Sequence, residues 1–300
     1  MSRLRLRRGR LVRLVILYLG ALVAFVYLLG PFAWVILSSF MTRAEAMAVP
    51  PHWIPQEPTL DNYRVYFDPR ALEGYREETR LTVGVVVREV PAALRNSTVV
   101  AFSVALINII LGAITAYPFA RLQFPGRVPL LVLYLITRMV PGLALVLPLY
   151  LLMRQYQLLD NPLGLVVVYL TFTMPYTIWI LKNYFQTIPR ELEEAAYVDG
   201  ATWRQAMVRV LLPVSLPGLI TVGMFSFMAS WGEFFYALLL TTTLRARTMP
   251  VEATFLIGEL GTECGFLMAA SVLAIIPPLV LALLFQRVII QGIAAGAVKG

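Results

Sequence analysis

The sequence has little of what most enzyme chemistry requires. It holds one cysteine, Cys264, and one histidine, His52. A lone cysteine excludes an internal disulfide, and a lone histidine excludes a multi-histidine metal site. Both residues read as structural. Lysine occurs only at Lys182 and Lys299. A phosphate-binding loop needs Gly-x-x-x-x-Gly-Lys-[Ser/Thr]. Lys182 has no such glycines before it, and Lys299 is followed by Gly300. The chain also lacks His-Glu-x-x-His, Gly-x-Ser-x-Gly and Gly-x-Gly-x-x-Gly. No catalytic residue, no metal site and no bound cofactor is therefore expected of this polypeptide. Charge is scarce too, at 14% of residues, against roughly 25% in soluble proteins.

What is present is apolar surface, with 59% hydrophobic residues. About 20 apolar residues span a bilayer as a helix. Six stretches qualify: Leu14–Met41, Ser97–Ala120, Val128–Met153, Pro162–Leu181, Leu211–Thr243 and Cys264–Gln286. Only Arg138 and Glu233 bring charge into them. The expected fold class is an all-α membrane protein with six transmembrane helices. The net charge of +8 does not signal nucleic acid, because it forms no basic patch interleaved with aromatics.

Arginines near span ends set orientation. Arg3, Arg5, Arg7, Arg8, Arg10 and Arg13 place residues 1–13 in the cytoplasm. An even number of spans returns the tail, residues 291–300 with Lys299, to the same side. The apolar run of residues 14–41 exceeds a signal peptide's core and reads as an uncleaved anchor. Residues 42–95 form the long outer loop. It starts with a proline-rich irregular stretch, and Asp68–Val90, β-branched over Leu81–Val87, reads as a short hairpin or a lid. Residues 96–290 make the five-helix core, interrupted by a cytoplasmic loop at 186–213.

That loop is the most patterned segment: IPRELEEAAYVDGATWRQAMVRVLLP over Ile188–Pro213. Pro189 suits a first helical turn. Glu191, Glu193 and Glu194 suit the positive end of a helix dipole. Ala195 and Ala196 keep one face thin, so another surface can approach. Asp199-Gly200 is a turn signal. A second helix resumes from Ala201, and Pro213 marks the next span. Helix, turn and helix make a docking element.

Candidate path residues lie inside the spans. Proline breaks at Pro141-Gly142, Pro148, Pro175 and Pro277-Pro278 mark helices whose freed backbone groups need protein or water. Arg138 and Glu233 are functional candidates by default, being charges in spans. At about 1.5 Å per residue they sit at different depths, which argues against a direct pair. Arg138 is expected to line a polar cavity or cap the break at Pro141. Tyr176 and Trp179 on the fourth span, with Ser226, Ser230 and Trp231 on the fifth, complete the candidate path residues, interfacial anchoring and helix packing being the other reading of such side chains.

The loop resembles the EAA motif of ABC-importer permeases. The matching residues are Glu194, Ala195, Ala196, then Gly200, then Val210, Leu212 and Pro213. Val210 stands where the motif has isoleucine. NSTVVAF at Asn96–Phe102, AYPFARLQFPGR at Ala116–Arg127 and GIAAGAVKG at Gly292–Gly300 also look like carbohydrate-type permeases, of the maltose and trehalose second-permease kind. Where those show Trp-Asn-Glu-Phe, this chain has Trp231-Gly232-Glu233-Phe234.

The resemblance implies a type I ABC-importer (MetI-like) fold in the cell membrane. It implies a second homologous permease, two ATPase subunits that hold ATP and magnesium, and an extracytoplasmic sugar-binding protein. The motif residues, with Asp199, would couple to the ATPase, Glu194 pairing with a basic residue there. Two rivals remain on the residues alone. One is an ion-coupled secondary transporter. The other is a membrane-embedded glycosyl transferase, which would need acidic metal ligands at the interface.

Overall fold

In the computed structural model, residues 2–72, 77–259 and 264–297 are described. Among these, side chains are described outside 2–12, 69, 77–83, 85–86, 258–259 and 288–297. The arginine cluster at Arg3–Arg10 and Lys299 thus lie outside the described side chains. Among the described residues all regular structure is helical. The helices are α1 Ser2–Ser38, α2 Arg43–Ala46, α3 Asp61–Phe67, α4 Glu77–Arg121, α5 Arg127–Ile136, α6 Gly142–Gln155 and α7 Pro162–Thr187. There follow α8 Glu191–Val198, α9 Trp203–Ala206, α10 Leu212–Val214, α11 Leu216–Trp231, α12 Phe235–Leu240, α13 Met249–Glu259 and α14 Cys264–Ala297. The chain divides into two compact units. One is Met1–Arg88 with Leu256–Leu273, and the other is Glu89–Phe255 with Ala274–Gly300.

Four helices are long and apolar enough to cross a membrane: Arg13–Ser38, Val87–Arg121, Pro162–Thr187 and Cys264–Arg287. Two helix pairs pass the same test together but are bent, Arg127–Met139 with Gly142–Gln155 at 96° and Trp203–Val214 with Leu216–Trp231 at 76°. The described residues thus hold four candidate spans, or six if each bent pair is one. The fifth also ends earlier than its apolar run. α11 stops at Trp231, and α12 starts after Glu233 has turned the chain.

Three expectations are corrected. Residues 77–90 are helical and run straight into α4, so Asp68–Val90 is no hairpin. Helix propensity is a weak preference that context overrides, and the helix runs on through Pro91. Second, most prolines do not interrupt. Pro148 lies inside α6, Pro175 inside α7, and Pro277 and Pro278 inside α14. Neighbouring helices and local adjustments tolerate the missing donor, and only Pro141 coincides with a break. Third, residues 291–297 continue α14 and do not form a separate tail.

In the first unit, every residue of α1 from Arg13 to Leu29 is exposed, as an apolar helix facing lipid would be. Asn62 on α3 binds the carbonyls of Ser39 and Met41 at 2.9 and 2.8 Å. That pairing holds the turn just after α1, whose own last carbonyls accept from Ser39, Phe40 and Met41.

The second unit packs α7 against α4 and α11. Tyr169, Phe185, Leu165, Ile178 and Leu181 on α7 are fully buried. Close approach is set by glycines. A β-carbon at Gly112 would meet Thr177, and one at Gly223 would meet Ile109 at 2.7 Å, so small residues bring the helices together as usual in membranes. The buried Asn108 amide donates to the Thr173 hydroxyl at 2.7 Å.

Two polar clusters hold the segments around α12 and α13. Arg247 bonds Glu89 at 2.9 Å and Glu252 at 3.2 Å. Asp160 binds the amides of Thr242 and Thr243 at 3.0 and 2.9 Å, and takes the Thr243 hydroxyl on its second oxygen. Partial burial opposes its ionisation, but the Thr243 hydroxyl and amide, the Thr242 amide and the Arg245 charge outweigh it and lower its pKa. A carboxyl depressed in the folded state stabilises above its unfolded value, near 3.9, and loses that as pH falls through the folded value. Protection of the Thr242 and Thr243 amides in hydrogen exchange is expected to hold from pH 7 to 5. Asp160→Ala should lower it by about tenfold, the scale of hydrogen bonds to a charged acceptor. Unchanged protection in that variant would contradict the latch.

Candidate functional site: an anchored loop and a cavity at a broken span

The loop after α7 is a capped helix, a tight turn and a second helix. Glu191, Glu193 and Glu194 fill the first turn of α8. Its end is a Schellman motif. The Ala201 amide donates to the Ala196 carbonyl at 2.9 Å, and the Gly200 amide to the Tyr197 carbonyl at 3.0 Å. Gly200 has φ +81°, which is why glycine stands there. Thr202 then caps α9 in a capping box with Gln205. Met207–Leu211 forms a π-helical turn that leads into α10. Such turns recur where a helix must shift register.

Of the motif residues, Glu194, Ala195, Asp199, Gly200 and Pro213 are exposed, while Ala196, Val210 and Leu212 are half-buried. Ala196, Asp199, Gly200 and Val210, with Gln205 and Arg209, line a hollow of about 350 Å³. Glu194, Ala195, Leu212 and Pro213 lie outside that lining.

The residues that hold the loop escaped the sequence reading. Glu193 is buried and pairs with Arg121, the last residue of α4, at 2.6 Å. The Tyr117 hydroxyl donates to the second carboxylate oxygen at 3.0 Å, and Arg121 also donates to the Ile188 carbonyl at 3.1 Å. The available signal was helical phase. At about 100° per residue, Glu193 and Glu194 cannot face the same partner.

A cavity of about 780 Å³ opens at the Pro141 break. Its wall includes Arg138, Pro141, Thr171, Phe172, Glu233 and Tyr236. Arg138 lies 5.8 Å from the Phe172 ring centre, and Phe172 stacks on Tyr236 at 6.0 Å. The Tyr236 hydroxyl donates to the Gly142 carbonyl at 3.0 Å, satisfying a group near the break. Glu233 accepts the amides of Tyr236 and Ala237 at 3.0 and 3.1 Å and thereby starts α12. Arg138 thus lines a cavity as expected. Glu233 borders the same cavity, and no ion pair joins it to Arg138 among the described residues.

The other path candidates lie elsewhere. Tyr176 stacks on Phe225 at 4.8 Å, and Trp179 carries the Lys182 ammonium 5.5 Å from its ring centre. Ser226 is buried beside the Thr177 hydroxyl at 3.4 Å. Ser230 is buried, and Trp231 stacks on Phe227 at 5.6 Å. None of these five lines the cavity at Arg138. Ser226, Ser230 and Trp231 are buried on α11, where they pack within the bundle.

Residues 108–295 match the family described as binding-protein-dependent transport system inner membrane component. The chain belongs to this family. It is a multi-pass membrane component of an ABC importer and not an enzyme, ATP hydrolysis being the task of separate subunits. Among similar proteins, the trehalose/maltose transport system permease protein MalG of Thermococcus litoralis is 34% identical over 98% of this chain and 99% of its own length. The trehalose transport system permease protein SugB of Mycobacterium tuberculosis is 35% identical, over 91% of this chain and 93% of its own. A crystal structure of a bacterial ABC transporter that imports the acidic polysaccharide alginate contains a similar fold. Its TM-score is 0.74 at 22% identity, over 94% of this chain and 96% of that one. The matched segment of this inner-membrane component contains the broken span, the loop and the cavity.

Proposed function

We infer that this chain is a permease subunit of an ATP-driven sugar importer, and that its α8–α9 loop docks an ATPase subunit. The observation that carries the reading is the loop itself. A Schellman turn and a capping box stiffen it, and its exposed face offers Glu194 and Ala195 beside a small hollow. A stiff element with a thin, charged face suits a cleft in another protein. The names of the relatives, trehalose and maltose systems among them, support a sugar as cargo.

In this reading a second homologous permease completes the path, and an extracytoplasmic binding protein delivers the sugar. Two ATPase subunits bind ATP with magnesium, and this chain binds neither. Both termini lie in the cytoplasm, following the arginines at the start of the sequence. ATP binding closes the ATPase pair, the loop moves with it, and the spans pass from inward-facing to outward-facing. The cavity bordered by Arg138 and Glu233 is this subunit's share of the path. Its cation over the Phe172 ring and its stacked aromatics suit a hydroxyl-rich ring.

Reconstitution in proteoliposomes tests this. Uptake of a labelled sugar, trehalose or maltose first, is expected only when both permeases, the ATPases, the binding protein and ATP are all present. Uptake that survives omission of the ATPases, driven by an ion gradient, would establish a secondary transporter in its place.

A further inference from the structure

Adjacent glutamates of α8 face opposite partners. Glu194 is exposed, while the side chain of Glu193 is 5% exposed and that of Arg121 is 7% exposed. Their ion pair of 2.6 Å is extended on both sides. Tyr117, one turn before Arg121, donates its hydroxyl to Glu193 at 3.0 Å and lies 3.2 Å from the Tyr197 hydroxyl. Its ring stacks on Trp203 of α9 at 6.1 Å and 26°. Arg121 reaches the Ile188 carbonyl at the end of α7. One cluster therefore grips the end of α4, the end of α7, and both helices of the loop.

The covalent chain joins the loop to α7 and α11 only. The polar connection to α4 is made by this cluster, beside a shared apolar core in which Met207 and Leu211 join Ala116 and Ala120 of α4. A buried ion pair is a poor choice for stability alone, because apolar residues of similar volume often do as well or better. What it adds is direction. Arg121 engages two partners from different nitrogens, Nε at Glu193 and Nη2 at the Ile188 carbonyl, and a planar guanidinium held at two points has its orientation fixed. Those are the properties of a joint that transmits displacement.

We propose that the Arg121–Glu193 pair, seated on Tyr117, is a clamp that carries movement of the docked loop into α4. The inference rests on the docking reading of the loop. Arg121 and Glu193 are positioning residues, touching neither cargo nor nucleotide.

The test uses the assembled transporter in proteoliposomes, with sugar taken up per ATP hydrolysed as the readout. The central variant is Arg121→Met with Glu193→Leu, which removes both charges and strands neither. Tyr117→Phe is the milder second variant. The double variant is expected to keep its ATPases bound and to keep hydrolysing ATP, while uptake per ATP falls at least tenfold. Tyr117→Phe should lower the ratio in the same direction by a smaller factor. The exchanged pair, Arg121→Glu with Glu193→Arg, should recover part of the ratio. An unchanged ratio in the double variant overturns the clamp. So does a fall in uptake that only tracks the amount of complex assembled, in every variant, since that is the mark of a purely structural pair. Failure of the docking reading looks different, because Glu194→Lys would then leave ATPase binding intact.

Discussion

Arg247→Met is expected to destabilise the protein by about 3–5 kcal/mol, the range for removing one partner of a buried pair. Arg247 lies between Glu89 at 2.9 Å and Glu252 at 3.2 Å, with side-chain exposures of 13%, 18% and 0% respectively. Its guanidinium also covers the Phe255 ring at 4.2 Å. Without it, two carboxylates face each other and Glu252 has no counter-charge. Burial pushes the Glu252 carboxyl above its ordinary value, Arg247 holds it back, and Glu89 pushes it further up.

The sign of the pH effect follows. A carboxyl raised in the folded state costs stability at neutral pH, and the cost vanishes below its unfolded value near 4.3. Losing Arg247 raises it further. The deficit of Arg247→Met against the parent should therefore be largest above pH 7 and should narrow as the pH is lowered towards 5. Thermal melting of the purified protein across that range reads it directly. Adding Glu252→Gln should restore part of the loss at neutral pH and remove most of the pH dependence. A deficit that stayed constant with pH would show that stacking on Phe255, not charge, is what Arg247 contributes.

Glu194→Lys is expected to abolish uptake and to strip the ATPase subunits from the purified complex. Truncating one partner of a desolvated interfacial pair costs about 2–5 kcal/mol, or roughly 30- to 5000-fold in affinity, and reversal adds repulsion. The chain itself should fold normally, because Glu194 is exposed and makes no ion pair among the described residues. Glu191→Lys is the control. It occupies the same first turn and is also exposed, so it perturbs the helix dipole by only about 0.3–1 kcal/mol. Retention of the ATPases by the Glu194 variant, with normal uptake, would remove Glu194 from the interface. Recovery on reversing a basic residue of the ATPase would identify its partner.

Much of the fold was legible because its signals are local. Four spans read directly as charge-free runs, and Asp199-Gly200 followed by helical spacing from Ala201 announced the turn and the second helix. Position 200 needs a left-handed backbone, and glycine there states it. The errors came where a local signal met a longer-range condition. The valines of residues 81–87 carried a strand tendency, yet they lie within a helix that extends into the membrane span. Prolines at 148, 175, 277 and 278 looked like breaks, and only the Pro141-Gly142 site is one. That Ser226 and Ser230 are buried depended on which face of α11 meets its neighbours.

The sequence by itself determined that this protein crosses a membrane several times, that no nucleotide loop is among its motifs, and that a stiff helix-turn-helix interrupts the spans. Those properties depend on composition and on residues within a few positions of each other. Only the tertiary structure decided that Arg138 and Glu233 share a cavity, and that Glu193 is the buried partner of Arg121 while Glu194 faces outwards. The reason is geometric. Two bent helix pairs and the phase of one short helix decide which distant side chains meet, and neither is written in the spacing of residues along the chain.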